Sequence, residues 1–181
     1  MSGHNKWSQI KHRKGAEDAK KSKVFGILAK QISVAVKQAG GDRNSALVKA
    51  AIEKARKANM PSDNIERAIS RASDQGGENF EQATYEVYGP AGVGIIIETI
   101  SDNKNRTVNE IKHILSEAGL TLAAPGSLSW AFERTRDTEG NLLWQAKSKL
   151  VFSPEDKNKL SELLTLLEEH EDVETVYTNA E

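Results

Sequence analysis

The residues best suited to chemistry sit at the start of the chain. Lys6, Trp7, Lys11, His12, Arg13 and Lys14 all precede Glu17, the first acidic residue, and Lys20, Lys21, Lys23 and Lys30 continue the series. Lys and Arg neutralise phosphates and release counterions, so each contact raises both affinity and its salt dependence. Trp7 offers a flat face on which an unpaired base can stack, and His4 and His12 can donate to phosphate or stack in turn. Two plainer readings stand beside this one. Trp7 can be an anchor that packs the segment onto neighbouring helices, and the lysines can be a solvated face.

A second candidate is Asp102-Asn103-Lys104-Asn105-Arg106-Thr107, which joins an expected strand to an expected helix. A helix N-terminus presents free N–H groups that can hold an anion, and Asn103, Asn105 and Arg106 would line such a secondary anion site. Asx turns and a helix cap account for the same residues with no ligand. The run Glu168-Glu169-His170-Glu171-Asp172 has ligand-type side chains, but no second ligand pair is spaced to complete a metal site, so none is expected. The glycines between Gly89 and Gly94 lack the Gly-Lys-Ser/Thr ending of a phosphate loop and read as a turn. With no cysteine, four histidines, no nucleophile–base spacing and no nucleotide fingerprint, we expect no catalytic residue, cofactor or small-molecule substrate.

The elements that must position these residues differ sharply in charge. The net charge of −1 conceals 16 Lys/Arg against 6 Asp/Glu in residues 1–72, and 9 against 20 in residues 73–181. A net +10 followed by a net −11 suggests a polyanion partner for the first part. Two surfaces of opposite sign that attract one another would also account for it. Hydrophobic residues make up 38% and charged residues 28%, a globular balance. No apolar run approaches the roughly 20 residues that span a bilayer, and the N-terminus lacks a secretory apolar core, so no membrane partner and a cytoplasmic location are expected.

Residues 1–16 lack apolar periodicity and read as an extended or irregular basic arm. A helix is predicted over 17–39, with Phe25, Leu28, Ile32, Ala35 and Ala39 on one stripe and Gly40-Gly41 ending it. A second is predicted over 45–58, with Ser45 as N-cap, and a third from Ser62 or Asp63, after the Asn59-Met60-Pro61 break. The polar, Gly-rich stretch 73–79 reads as a linker. Strands are expected near 84–88, 94–100, 128–134, 142–152 and 173–178. A helix opened by a Thr107/Glu110 capping box and another opened by Ser153-Pro154 lie among them. From Gly94 the order strand, helix, strand, strand, helix, strand is that of a ferredoxin-like α+β sandwich. The expected architecture is therefore α+β, with a basic helical domain over 1–75 and an acidic α+β domain over 80–181.

Several ordered strings resemble the YebC/PmpR family: Gly3-His-Asn-Lys-Trp7 with Lys11-His-Arg-Lys14, Ala58-Asn-Met-Pro61 with Asp63-Asn-Ile-Glu-Arg-Ala68, and Tyr88-Gly-Pro90. Ser101-Asp-Asn-Lys-Asn-Arg-Thr107, Gly126-Ser127 and Val176-Tyr-Thr-Asn179 complete the set. The resemblance implies regulation of gene expression, either as a DNA-binding transcriptional regulator or as a translational activator associated with ribosomes. It implies a helical domain followed by two α+β domains, the third inserted into the second. It also assigns nucleic-acid contact to Lys6, Trp7, Lys11, His12, Arg13 and Lys14. Against that pattern, only about ten residues, 135–144, stand where the inserted domain would begin, so the insert is expected to be missing.

Ribosomal RNA is the favoured partner, because no base-reading helix-turn-helix is evident and an irregular basic arm with Trp and His suits folded RNA. Duplex DNA is the alternative, and a protein-interaction module whose charged halves pair between chains is a third. The acidic domain would project away from the polyanion or meet a protein partner.

Overall fold

The computed structural model describes residues 4–73, 79–137, 142–151 and 153–181, with the backbone alone over 4–16. Most of the predicted linker and the last residue of the strand predicted over 142–152 therefore lie outside the described residues. The chain divides into two compact units, Met1–Phe80 and Glu81–Glu181.

The first unit holds α1 (His4–Gln38), α2 (Ala46–Lys57) and α3 (Ser62–Ser73). Leu28, Ile32, Ala35 and Val36 of α1 close onto Val48 and Ala55 of α2 and onto Ile65, Ala68, Ile69 and Ala72 of α3, with Met60 beneath the turn. Alanine at the contact lets helices approach closely, and each larger side chain fully removed from water contributes about 1.5–3 kcal/mol. Gly40 and Gly41, both at positive φ (61° and 86°), end α1, a conformation open to glycine because it has no Cβ. The Ser45 hydroxyl accepts from the Val48 N–H and caps α2 as expected. Asn59, at φ 59°, ends that helix before Pro61.

The basic arm is not irregular: α1 begins at His4, thirteen residues before Glu17, its predicted start. Residues 4–16 hold no proline and include Lys, Arg, Gln and Ala, all good helix formers. Once the packed turns downstream are nucleated, each further residue adds a hydrogen bond at little cost, so the helix propagates into a stretch with no apolar stripe.

The second unit is α+β, as expected. β2 (Gly94–Ser101) is central, with β1 (Glu81–Tyr88) and β5 (Val173–Thr178) antiparallel on either side of it. β3 (Phe132–Arg136) and β4 (Leu142–Ala146) form a separate two-stranded hairpin. The ferredoxin-like arrangement is therefore corrected. That order would give one edge of β2 to β4, but β1 takes the edge through eight paired residues, from Glu81↔Ser101 to Tyr88↔Gly94. The hairpin lies instead against one face of the sheet.

Strand alternation sorts the side chains. Ile95 and Ile97 meet α4 (Lys104–Glu117) and α5 (Pro154–Glu169) through Ile111, Leu115, Leu160, Leu163 and Leu167. Ile96 points the other way, to Leu128, Ala131, Phe132, Trp144 and Tyr177. A Cβ on Gly94 would stand 2.9 Å from the Phe132 ring, so glycine is what admits the hairpin there. Asn179 clips β5 to β2, its Oδ1 accepting from the Gly94 N–H at 2.8 Å.

Strand ends also moved. β3 starts four residues after the predicted 128, because turns closed by Ala131 N–H to Leu128 O (2.9 Å) and Phe132 N–H to Leu128 O (3.0 Å) occupy that stretch. β4 ends at Ala146, and Leu150 makes a lone parallel bridge with Ala180.

Candidate nucleic-acid interface

Ten cations and aromatics were expected to contact nucleic acid, and all ten fall on α1. A 35-residue helix is about 52 Å long at 1.5 Å per residue. Seven residues are nearly two turns, so Lys23, Lys30 and Lys37 share one line of the helix, roughly opposite the buried Ile32. Lys6, Arg13 and Lys20 share a second line at the same spacing, and Lys14 and Lys21 a third. The side chains of Lys6, Trp7, Lys11, His12, Arg13 and Lys14 lie outside the described residues. Lys20 and Lys21 are exposed, and Lys23 and Lys30 half-buried. Lys21 sits over the Phe25 ring and Lys30 over Phe80, at 5.6 and 5.9 Å from the ring centres. Their alkyl stems thus cover apolar surface while the ammonium groups stay wet.

The other helices carry their charge differently. Arg43 pairs with Glu66, Arg56 with Glu53, and Arg67 donates to the Asp63 carbonyl and the Asn64 side chain. The first two turns of α3 thus carry Asp63 and, paired with Arg43, Glu66. A helix that reads bases in a major groove presents its N-terminal residues to the base edges between two phosphate backbones, where carboxylates are repelled.

In the second unit the suggested anion site is put to another use. Asn103 caps α4, its Oδ1 accepting from the Arg106 N–H at 3.1 Å. The Arg106 guanidinium donates to Asp102 (3.0 Å) and Asp172 (2.9 Å), and Asn105 is exposed on the first turn. Asp172 is 1% exposed, and the same Oδ2 also accepts from the hydroxyls of Thr107 (2.7 Å) and Ser101 (3.0 Å). Arg106 is thereby held above its ordinary pKa, chiefly by its hydrogen bond to Asp172 and by the charge of that carboxylate. An incoming anion would have to compete with these carboxylates for that cation. Thr107 is not the helix cap; it is buried and serves Asp172 instead, which corrects the capping-box expectation.

The carboxylate–histidine run at the end of α5 joins this network. Glu110, His170 and Asp172 each bring a ligand-type atom within 4.8 Å of the others. The Asp172 N–H donates to His170 Nδ1 (3.1 Å), so the neutral ring carries its proton on Nε2, which faces Glu110 at 3.0 Å. The Arg106 guanidinium already fills the cationic place beside Asp172, and the cluster reads as an ion-pair network.

Sequence reasoning missed a second network, on the hairpin face of the sheet. Glu98 accepts from Trp144 Nε1–H (3.0 Å), from the Tyr177 hydroxyl (3.3 Å) and from Arg134 (3.1 Å). The Arg134 guanidinium lies 4.5 Å from the Trp144 ring centre. Burial raises the Glu98 pKa above the ordinary carboxylate value, against the pull of Arg134. Burial, with Glu98 adding to it, pushes Tyr177 up to about 12. The signal was a carboxylate in the middle of an isoleucine-rich strand.

No described helix is long and apolar enough to cross a membrane. A family model described as the TACO1/YebC protein N-terminal domain matches residues 5–75, and one described as the TACO1/YebC second and third domain matches residues 80–139. A probable transcriptional regulatory protein of Kosmotoga olearia is 51% identical over 136 residues, covering 74% of this chain and 54% of its own length. The chain thus spans about half the length of the first relatives it matches, one of Fervidobacterium nodosum among them at 52% identity. Another, from Thermotoga petrophila, is 38% identical over 238 aligned positions that cover all of this chain and 94% of its own length. The crystal structure of a conserved hypothetical protein from Aquifex aeolicus superposes with a TM-score of 0.81, at 29% identity and over 91% of each chain.

Proposed function

This chain belongs to the TACO1/YebC family, and from that premise we propose that it is a non-catalytic, nucleic-acid-binding regulator of gene expression that acts in the cytoplasm on ribosomal RNA. The observation that carries the reading is α1: a single long helix with lysines and arginines along several of its lines, in a region of net +10. Phosphate contacts of this kind position a protein without reading sequence. A helical arm reaches a deep RNA cleft as well as an irregular one does. The acids on the first turns of α3 weigh against α3 as a base-reading helix, and so favour folded RNA over duplex DNA.

The chain is read as a two-domain form, 1–75 and 80–181, that lacks the inserted third domain. In support, the match to the second and third domain stops at residue 139, within the β3–β4 connection. The alignment to the Thermotoga petrophila relative has 238 positions for 181 residues here, which leaves at least 57 positions unfilled. The transcriptional reading, with duplex DNA as partner, rests on the names of the relatives.

Co-sedimentation with ribosomes from a cleared lysate at about 0.15 M salt tests this, since long-range attraction is then screened beyond about 8 Å. Wild type should pellet, resist a duplex-DNA competitor, and fail to pellet as Lys11/Arg13/Lys14→Ala. Wild type that stays in solution yet binds duplex DNA through the same three residues would overturn the RNA reading in favour of the transcriptional one.

A further inference from the structure

The second unit is acidic overall, yet its cations gather on the hairpin. Arg134, Arg136, Lys147 and Lys149 fall within residues 127–151, against three acids, Glu133, Asp137 and Glu139. Beside the hairpin stand two exposed aromatic rings, Trp130 at 52% and Tyr88 at 43%. Their polar edges are used internally. The Tyr88 hydroxyl donates to the Ser127 carbonyl at 2.9 Å, and Trp130 Nε1–H donates to the Tyr88 oxygen at 3.4 Å.

The loop that carries Trp130 is held at both ends. The Glu86 carboxylate accepts from the N–H groups of Gly126 and Leu128, both at 2.7 Å, and the Lys147 ammonium donates to the Ser129 carbonyl at 2.8 Å. Rings held at their polar edges by hydrogen bonds and still about half exposed suit stacking, because little rotamer freedom remains to be lost on binding. Ser127, Ser129 and Lys147 place polar groups next to the rings.

We propose that Tyr88 and Trp130 form a stacking platform for an unpaired base of single-stranded RNA, with Lys147 against the adjoining phosphate. Every base has a π-face, so such a platform binds without strong sequence preference. This rests on the reading of the protein as an RNA binder, but uses a different domain from the basic helix.

The test is fluorescence anisotropy of the full chain with a labelled single strand of about 12 nucleotides. The same strand in duplex form, and the strand with its central bases removed, are run beside it. Trp130→Ala should weaken single-strand binding by between about fivefold and a hundredfold, as loss of one stacked base implies. Trp130→Phe should stay close to wild type, and duplex binding should not change. The abasic strand should bind the unmodified chain as weakly as the intact strand binds Trp130→Ala, which needs no mutant to fold. If Trp130→Ala and the abasic strand bind like their parents while Lys11/Arg13/Lys14→Ala loses affinity, the platform is overturned and the RNA reading stands. Equal loss for single strand and duplex also overturns it. If the wild-type chain binds no RNA at all, both fall together.

Discussion

The two units use their charged groups in opposite ways. In the helical unit the described α1 lysines, Lys20, Lys21, Lys23, Lys30 and Lys37, lie on exposed or half-buried faces away from a core of alanine and branched side chains. In the α+β unit the cations that matter are committed to carboxylates while keeping contact with water: Arg106, 38% exposed, holds Asp102 and Asp172, and Arg134, 41% exposed, is stacked on Trp144 and paired with Glu98. A cation on a solvated face adds little to stability; one shared between carboxylates ties the fold together and must be won from them by a ligand. Net charge alone would have assigned function to both units.

Asp172→Ala sharpens this contrast most. It leaves Arg106 and two buried hydroxyls without their shared acceptor, and should cost about 3 kcal/mol, toward the low end for breaking a buried pair because Arg106 keeps contact with water. Urea unfolding measures it, and a loss below about 1 kcal/mol would mean that the network is decorative. Next, Lys11/Arg13/Lys14→Ala should lower nucleic-acid affinity about 100-fold and reduce the slope of log affinity against log salt by about three. The unfolding midpoint should stay within about 0.5 kcal/mol of wild type. A matching loss of stability would show these cations to be structural and erase the contrast. Ser45→Ala, at the cap of α2, should cost about 1 kcal/mol in the same assay without altering the salt slope.

The smallest effect concerns pH. The folded-state pKa of Glu98 is raised by burial above its unfolded value, so its contribution is fully present below the ordinary 4.5 and is lost as pH rises through the folded value. Glu98→Gln removes that dependence. Unfolding midpoints taken from pH 4 to 7 should therefore shift in favour of the Gln variant as pH rises. A shift toward wild type would mean that the Arg134 pairing outweighs burial.

Local signals were legible and distant ones were not. The Ser45 cap, the Gly40-Gly41 stop and the Ser153-Pro154 start of α5 each depend on neighbours in sequence, and each is present. The Thr107 cap was misread because its hydroxyl is claimed by Asp172, 65 residues away. The strand order was misread because pattern along a chain says which faces are apolar but not which edge of β2 another strand will take. The start of α1 was misread because cooperativity, not periodicity, carries it. For the site, charge pointed to α1, while the Glu98 and Asp172 networks needed pairings that no spacing reveals.

The central place of β2 has a consequence for the newly made chain. Its partners are the first strand of the unit and the last, and the ladder from Ile95↔Thr178 to Thr99↔Val173 cannot close until Thr178 has been added. The helical core closes within residues 28–72 and can form while translation continues. At about 5–20 residues per second, the basic helices would stand folded beside the machinery that made them for some seconds before the sheet is complete.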